Sequence, residues 1–258
     1  MHQNGYGIIR GKNSLIKRRL TIFHLSSIVE NLNIKATDAE LGKLKDLYFD
    51  DKYWTIRYFV VDTRKWLPGK KVLLSPISLD YVDLDDGSLN VLASKETIQN
   101  APNQKEDEPI SKQAEEELES YYGWPNYWGG LGPWGGFASP LEFMDVHSNG
   151  LKEEPPNEYE ANYHLRSAKD IKDDPIGFTV EATDEQVGNI YDFVVSEDSW
   201  EIKYIVVETQ KVLPTRYVLL ATDKVTELNW AEKKVYVNQT ADEVKQGEDI
   251  ELNFSSTK

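Results

Sequence analysis

From Trp54 to Thr63 the chain reads WTIRYFVVDT, and its apolar residues change rhythm part-way along. Trp54, Ile56, Tyr58 and Val60 alternate with other side chains, the period of a strand with one buried face. Phe59 and Val61 then make the far half apolar on both faces. That predicts a strand that is central in its sheet or curled inside a barrel. Upstream, GKLKDLYF (42–49) predicts a second strand, and its leading glycine marks a bulge or a barrel corner. Asp50 to Tyr53 is the turn between them. Arg64 to Lys70 is a loop around Leu67-Pro68-Gly69, and Lys71 to Leu74 is a further strand. Asp85-Asp86-Gly87 turns a hairpin between strands near Leu79–Val82 and Leu89–Leu92, after which Ser94 caps a short helical turn.

The same rhythm returns later. Residues 37–74 and 183–220 align without a gap at an offset of 146, with 16 of 38 positions identical. Thr37/Thr183, Gly42/Gly188, Asp46/Asp192, Trp54/Trp200, Tyr58/Tyr204 and Pro68/Pro214 are among the identical pairs, and Arg57/Lys203 is like for like. Upstream, His24-Leu25-x-Ser27 matches His164-Leu165-x-Ser167, with six extra residues in the second copy. Downstream, Thr240 with Glu243 forms a capping-box pattern where the first copy has Ser94. Two copies of one all-β domain of roughly 80 residues follow, each of a size that can fold by itself.

Between the copies the pattern is different. Ile110, Ala114, Leu118 and Tyr121/Tyr122 make one apolar stripe at helical spacing. Ser111 can cap that helix and Gly123 can end it, so a helix is predicted over 110–122. Residues 121–136, YYGWPNYWGGLGPWGG, then combine aromatic residues with glycines. They read as packing mortar within the chain or at a dimer interface, as a platform for sugar rings, or as an exposed partner patch. The acidic flanks argue against an anionic membrane surface.

Composition narrows the function classes. The chain has 258 residues, 40% apolar and 28% charged, a soluble globular balance. No transmembrane stretch or secretory h-region is present in the sequence, and residues 1–23 read as a flexible basic tail. There is no cysteine, which removes disulfides and thiolate chemistry and fits a cytoplasmic address. The net charge of −15 divides into +3 over residues 1–99, −10 over 100–162 and −8 over 163–258. Such a surface repels phosphate backbones, so nucleic acid is not an expected partner.

Candidate chemistry is sparse. His24 and His164 occupy matching positions, which duplication explains through packing. Asp83, Asp85, Asp86 and Gly87 resemble the start of a calcium loop, but the glycine is one place early and Ser94 stands where a glutamate is needed. A hairpin turn is the expectation, and neither a metal nor a cofactor is expected. Asp46/Asp192 and Asp38/Asp184 are paired acids of the kind an enzyme could use. Cross-strand pairing of Asp46 with Arg57 and of Asp192 with Lys203 is the structural alternative, with Asp38 and Asp184 bonding turn amides. No catalytic residue is assigned. The contact candidates are Lys65, Trp66, Lys70 and Lys71 on the loop, and Tyr121, Tyr122, Trp124, Tyr127, Trp128 and Trp134 in the run. Lysines beside a tryptophan suit an acidic partner, or the acidic linker itself.

Three stretches carry a family resemblance. They are Thr37-Asp38-x-x-Leu41-Gly42-x-Leu44-x-Asp46-Leu47, Trp54-x-Ile56-x-Tyr58-x-Val60-Val61-Asp62 and Lys71-Val72-Leu73-Leu74-Ser75-Pro76. In this order they resemble a PRC-barrel domain, the type found in the cytoplasmic part of the photosynthetic reaction centre H subunit. A similar domain forms half of a ribosome maturation factor. The second copy departs at Thr215-Arg216-Tyr217 and Ala221-Thr222, so the two copies need not share a ligand. The resemblance implies two tandem, small, bent β-barrels that work as docking modules rather than enzymes. The H subunit has an N-terminal membrane helix that this sequence lacks, so membrane association would be peripheral, through a complex. The expected layout is a tail to residue 23, a first repeat over 24–100, a linker over 101–163, a second repeat over 164–250 and a short C-terminal tail over 251–258. The expected role is a non-enzymatic scaffold that binds an unidentified protein, in a membrane-associated or photosynthetic assembly. A homodimer and a small-ligand or glycan site on the aromatic run remain open alternatives.

Overall fold

In a computed structural model the two long strands of each repeat pair as an antiparallel hairpin. It describes residues 22–64, 67, 70–102, 104–105, 110–127, 132–149, 165–210 and 215–250. In chain order the first elements are β1 (Phe23–Leu25), α1 (Ser26–Val29), β2 (Asn33–Lys35), β3 (Glu40–Asp50), β4 (Thr55–Val61), β5 (Lys70–Leu74), β6 (Leu79–Asp83), β7 (Ser88–Val91) and α2 (Lys95–Gln99). The connecting region adds β8 (Gln104–Lys105), α3 (Lys112–Tyr122) and α4 (Pro140–Ser148). The second repeat supplies β9 (Leu165–Ser167), α5 (Ala168–Lys172), β10 (Thr179–Glu181), β11 (Gln186–Ser196), β12 (Ile202–Gln210), β13 (Arg216–Ala221), β14 (Val225–Asn229), β15 (Lys234–Val237) and α6 (Ala241–Lys245).

One sheet runs β6-β7-β2-β3-β4-β5-β8, and the other runs β13-β12-β11-β10-β15-β14. β2 pairs with β7 and β10 with β15 in parallel, while β2 with β3 and β10 with β11 are antiparallel, so both sheets are mixed. This corrects two expectations. The domains are mostly β, with helices, rather than all-β. Among the described residues each ladder is an open path and does not close into a ring.

Both glycines near the start of the long strands sit at bulges. Ile34 faces Gly42 and Lys35 faces Glu40, which leaves Leu41 as the extra residue. A Cβ at Gly42 would lie 2.7 Å from the Asp62 carbonyl oxygen, and one at Gly188 would lie 2.1 Å from that of Glu208. Bare backbone is needed there because two strands approach too closely for a side chain. The turn that follows holds Trp54 at φ 53° and Trp200 at φ 55°. Left-handed backbone costs an L-residue about 1–2 kcal/mol. Burial of both rings offsets it, and Trp54 stacks on Phe49 at 5.3 Å.

Helix ends follow the side chains that predicted them. Ser111 accepts from the Ala114 amide and Gly123 closes α3 at φ 70°. Thr240 and Glu243 form the capping box of α6. Asp38 accepts from the Lys95 amide and Asp184 from that of Ala241, each at 2.8 Å, so these acids fix the closing helices. Helix α4 lies in the linker beyond the one helix expected there, over 110–122. Its signals were Ser139, which accepts from the Glu142 amide, and Pro140 in the first turn.

The compact units do not coincide with the repeats. One unit is Ile28–Arg166; the other is the chain up to Ser27 together with the chain from Ser167. β1, at the start of the first repeat, pairs with β11 of the second. β9, at the start of the second repeat, pairs with β3 of the first. The repeats share a second device. β8 lines the outer edge of β5, with Lys105 opposite Lys70 and Gln104 opposite Lys71. In the second repeat Ile250 donates to the Tyr217 carbonyl at 3.1 Å on the matching edge of β13. Residues 104–105 are thus an edge strand within the span expected as linker.

Candidate functional site

All seven residues of β4 are buried, including Arg57. A central strand with a charge on one face needs a polar cover, and the insert between the repeats supplies it. At the tip of the β3–β4 hairpin, Asp50 accepts from the Tyr53 amide and from Arg57 Nε, both at 2.6 Å. The two side chains are 1% and 2% exposed. The Arg57 guanidinium also donates to the Pro133 carbonyl. Its carbon lies 3.9 Å from the Tyr127 ring centre and 4.9 Å from that of Trp134.

Helix α3 brings the second acid. Glu115 accepts from the Tyr127 hydroxyl at 2.5 Å and from the Tyr58 hydroxyl at 3.1 Å, on the same oxygen. Burial pushes the Glu115 carboxyl above the ordinary glutamate value, against the tyrosine hydroxyls and the charges of Lys112 and Arg57. Burial likewise pushes Asp50 upward, opposed by Arg57. Trp134 is fully buried, its ring 6.4 Å from both Tyr127 and Phe143. Phe143 comes from α4, which makes that helix part of the cover.

The contact candidates therefore separate. Trp124, Tyr127 and Trp134 are buried. Tyr122 stacks on Trp124 at 4.2 Å, and burial pushes its phenol well above the ordinary tyrosine value. Tyr121 is 40% exposed and donates to the Thr97 carbonyl at 2.8 Å. Beside it, the outer face of α3 and Pro102 line an open cleft of about 530 Å³ with Gln113, Glu116, Glu117 and Ser120. Lys70 and Lys71 lie on β5, with Lys71 donating to the Tyr48 hydroxyl at 3.2 Å. Lys65, Trp66 and Trp128 lie outside the described residues. Asp50 and Glu115 were missed by sequence reasoning. Only the isolated arginine in an otherwise apolar strand hinted that acids would gather around it.

Asp46 and Asp192 take other partners than those expected. Asp46 faces Val60 and Asp192 faces Val206, three residues along from Arg57 and Lys203, so neither pair forms. Asp192 instead accepts from the hydroxyls of Ser26 at 2.6 Å and Ser27 at 2.5 Å, with Lys172 Nζ at 3.5 Å. Lys203 pairs with Glu201, and Arg57 with Asp50. His24 lies 2.6 Å from Glu197, a packing contact of β1. Asp86 takes Lys35 and Ser88, and its own amide binds Asp83, which makes 83–87 a hairpin turn. Among the described residues no group of three acidic or histidine side chains could hold a metal ion.

The PRC-barrel domain pattern matches residues 25–98 and again 172–244, more than half of the chain. The chain belongs to the PRC-barrel family. A comparison with curated proteins found no match. The two PRC-barrel copies differ at this site. Where the first has Asp50 and Arg57, the second has Ser196 and Lys203, and Tyr204 meets Phe23 where Tyr58 meets Glu115. The buried arginine cluster is present in the first PRC-barrel domain and is not repeated in the second.

Proposed function

We propose that this tandem PRC-barrel protein is a non-enzymatic scaffold that docks a protein partner carrying a basic segment. The observation that carries the reading is the way the insert is welded to the first repeat. Arg57 and Glu115 draw Tyr127 and Trp134 inward, so α3 becomes a fixed rib that turns Glu116, Glu117 and Tyr121 outward. That face is acidic, and residues 100–162 carry 13 acidic against 3 basic side chains, which favours a cationic partner. The acids and the histidine that first suggested catalysis serve caps and strand contacts, which supports a scaffold over an enzyme. Assembly of a membrane-associated or photosynthetic complex is the setting in which such a module would act.

The test is affinity purification of the full chain from its native cell, read by mass spectrometry. A partner with a basic surface should be retained by the native protein. It should be lost from a Glu116→Lys/Glu117→Lys/Tyr121→Ala variant whose melting temperature is unchanged. Equal retention by both proteins would refute this docking face.

A further inference from the structure

The leading strands sit crosswise. β1 is separated from β2 of its own repeat by seven residues, yet it lies beside β11 of the other repeat. Phe23 faces Ser196, His24 faces Val195 and Leu25 faces Val194. The place beside β3, which chain proximity would assign to β1, is taken by β9. Helix α1 starts at Ser26, directly after β1, and ends at Val29, four residues before β2 begins at Asn33.

Anchoring continues past the strand. Ser26 and Ser27 donate to Asp192, His24 meets Glu197, and Glu197 donates its amide to the Ile22 carbonyl at 2.9 Å. The strand is duplicated in sequence, and so is the aspartate that anchors it. His-Leu-x-Ser stands at 24–27 and at 164–167, and Asp46 and Asp192 stand at matching points of β3 and β11. A repeat of this protein is completed by a strand from another repeat.

From this we infer that the leading strands are exchangeable between copies, and that a second copy of this chain can supply β1 to β11 in place of the chain's own. Within one chain the tether keeps β1 at an effective concentration of roughly millimolar, so dilute protein completes itself. At comparable protein concentration the same pairing closes a dimer without any new contact surface. This stands apart from the docking reading, since it uses neither α3 nor its acidic face.

The absence of cysteine makes the test clean. Phe23 and Ser196 are opposite each other next to the hydrogen-bonded Ile22–Glu197 pair, so theirs is the close, non-hydrogen-bonded geometry that a disulfide accepts. Full-length Phe23→Cys and Ser196→Cys proteins are mixed in urea, refolded together from micromolar to about millimolar concentration, and oxidised. A second mixture pairs Phe23→Cys with Asp80→Cys, an exposed site on β6 that reports random collision. The expected result is a disulfide-linked dimer joined at 23 and 196, increasing with concentration and exceeding the 23–80 product at least fivefold. Leu25→Cys with Val194→Cys repeats the measurement should Phe23 be needed for folding. Yields of the 23–196 and 25–194 links no greater than that of the 23–80 link, at every concentration, would overturn the inference.

Discussion

Arg57→Ala is the most informative single perturbation of the first unit. It leaves Asp50 1% exposed and without its guanidinium. Breaking a buried ion pair on one side costs about 3–5 kcal/mol. The bond to the Pro133 carbonyl and the contacts with Tyr127 and Trp134 are lost as well, which adds about 1–2 kcal/mol. A loss of roughly 5 kcal/mol is a large part of the 5–15 kcal/mol that holds a domain together. At about 2–4 °C per kcal/mol for a unit of this size, the melting temperature should fall by roughly 10–20 °C. Differential scanning calorimetry of the full chain reads it, and the transition of the other unit should stay in place.

Asp50→Asn/Arg57→Met tests the cause. It removes both charges, while the side-chain amide oxygen introduced at position 50 can still accept from the Tyr53 amide. If the stranded carboxylate is the source of the loss, this double variant recovers at least half of it. A double variant as unstable as Arg57→Ala, or an Arg57→Ala shift below about 2 °C, would refute the reasoning. Arg57→Lys, the residue of the second repeat, keeps the charge without the flat fork and should fall between the two.

Glu115→Gln concerns pH. The folded-state pKa of Glu115 is raised, so the folded state holds its proton more tightly than the unfolded state. Its contribution is greatest below the ordinary glutamate value and is lost as pH rises through the raised one. The melting temperature of Glu115→Gln relative to the native protein should therefore increase between pH 4 and 7; a constant difference would count against burial of the charge. Gly188→Ala places a Cβ 2.1 Å from the Glu208 carbonyl and should lower only the transition of the second unit, by more than about 2 kcal/mol in chemical denaturation. Gly87→Ala meets no atom within 4 Å but keeps φ 64°, and should cost only about 1 kcal/mol. Deleting residues 1–27 removes β1 and should abolish hydrogen-exchange protection at Glu197 while leaving β4 protected.

Periodicity reported the hairpins because each long strand writes its own environment. The apolar rhythm of 54–61 requires burial on both faces, and β4 has it. Gly42 and Gly188 marked bulges because backbone approach is a local requirement. Pairing partners are a different matter. His24-Leu25-x-Ser27 and His164-Leu165-x-Ser167 carry the same residues, so which of them lies beside β11 and which beside β3 could not be read. Ion pairs failed for a related reason. Register is not written in either strand: Asp46 lies opposite Val60, and Arg57 takes Asp50 near the hairpin tip. Burial of the aromatic run was open for want of one datum, the acid that Tyr127 would reach, and Glu115 lay in a helix read only for its apolar stripe.

The difference between the repeats then has a physical cause. β4 and β12 descend from one pattern, and each must have its outer face covered. In the second repeat Lys203 turns to Glu201 two residues away, and Tyr204 meets Phe23 of the crossed strand β1. In the first, Arg57 is buried, and a buried guanidinium is tolerable only with acceptors and rings around it. Pro133, Tyr127, Trp134 and Glu115 are therefore constrained by Arg57 and are poorly placed to change with a partner. Freedom to specialise lies with residues the cluster does not hold, on the outer face of α3. A screen for binding should begin at Tyr121, Glu116 and Glu117, because substitutions at the tryptophans would report folding first and recognition second.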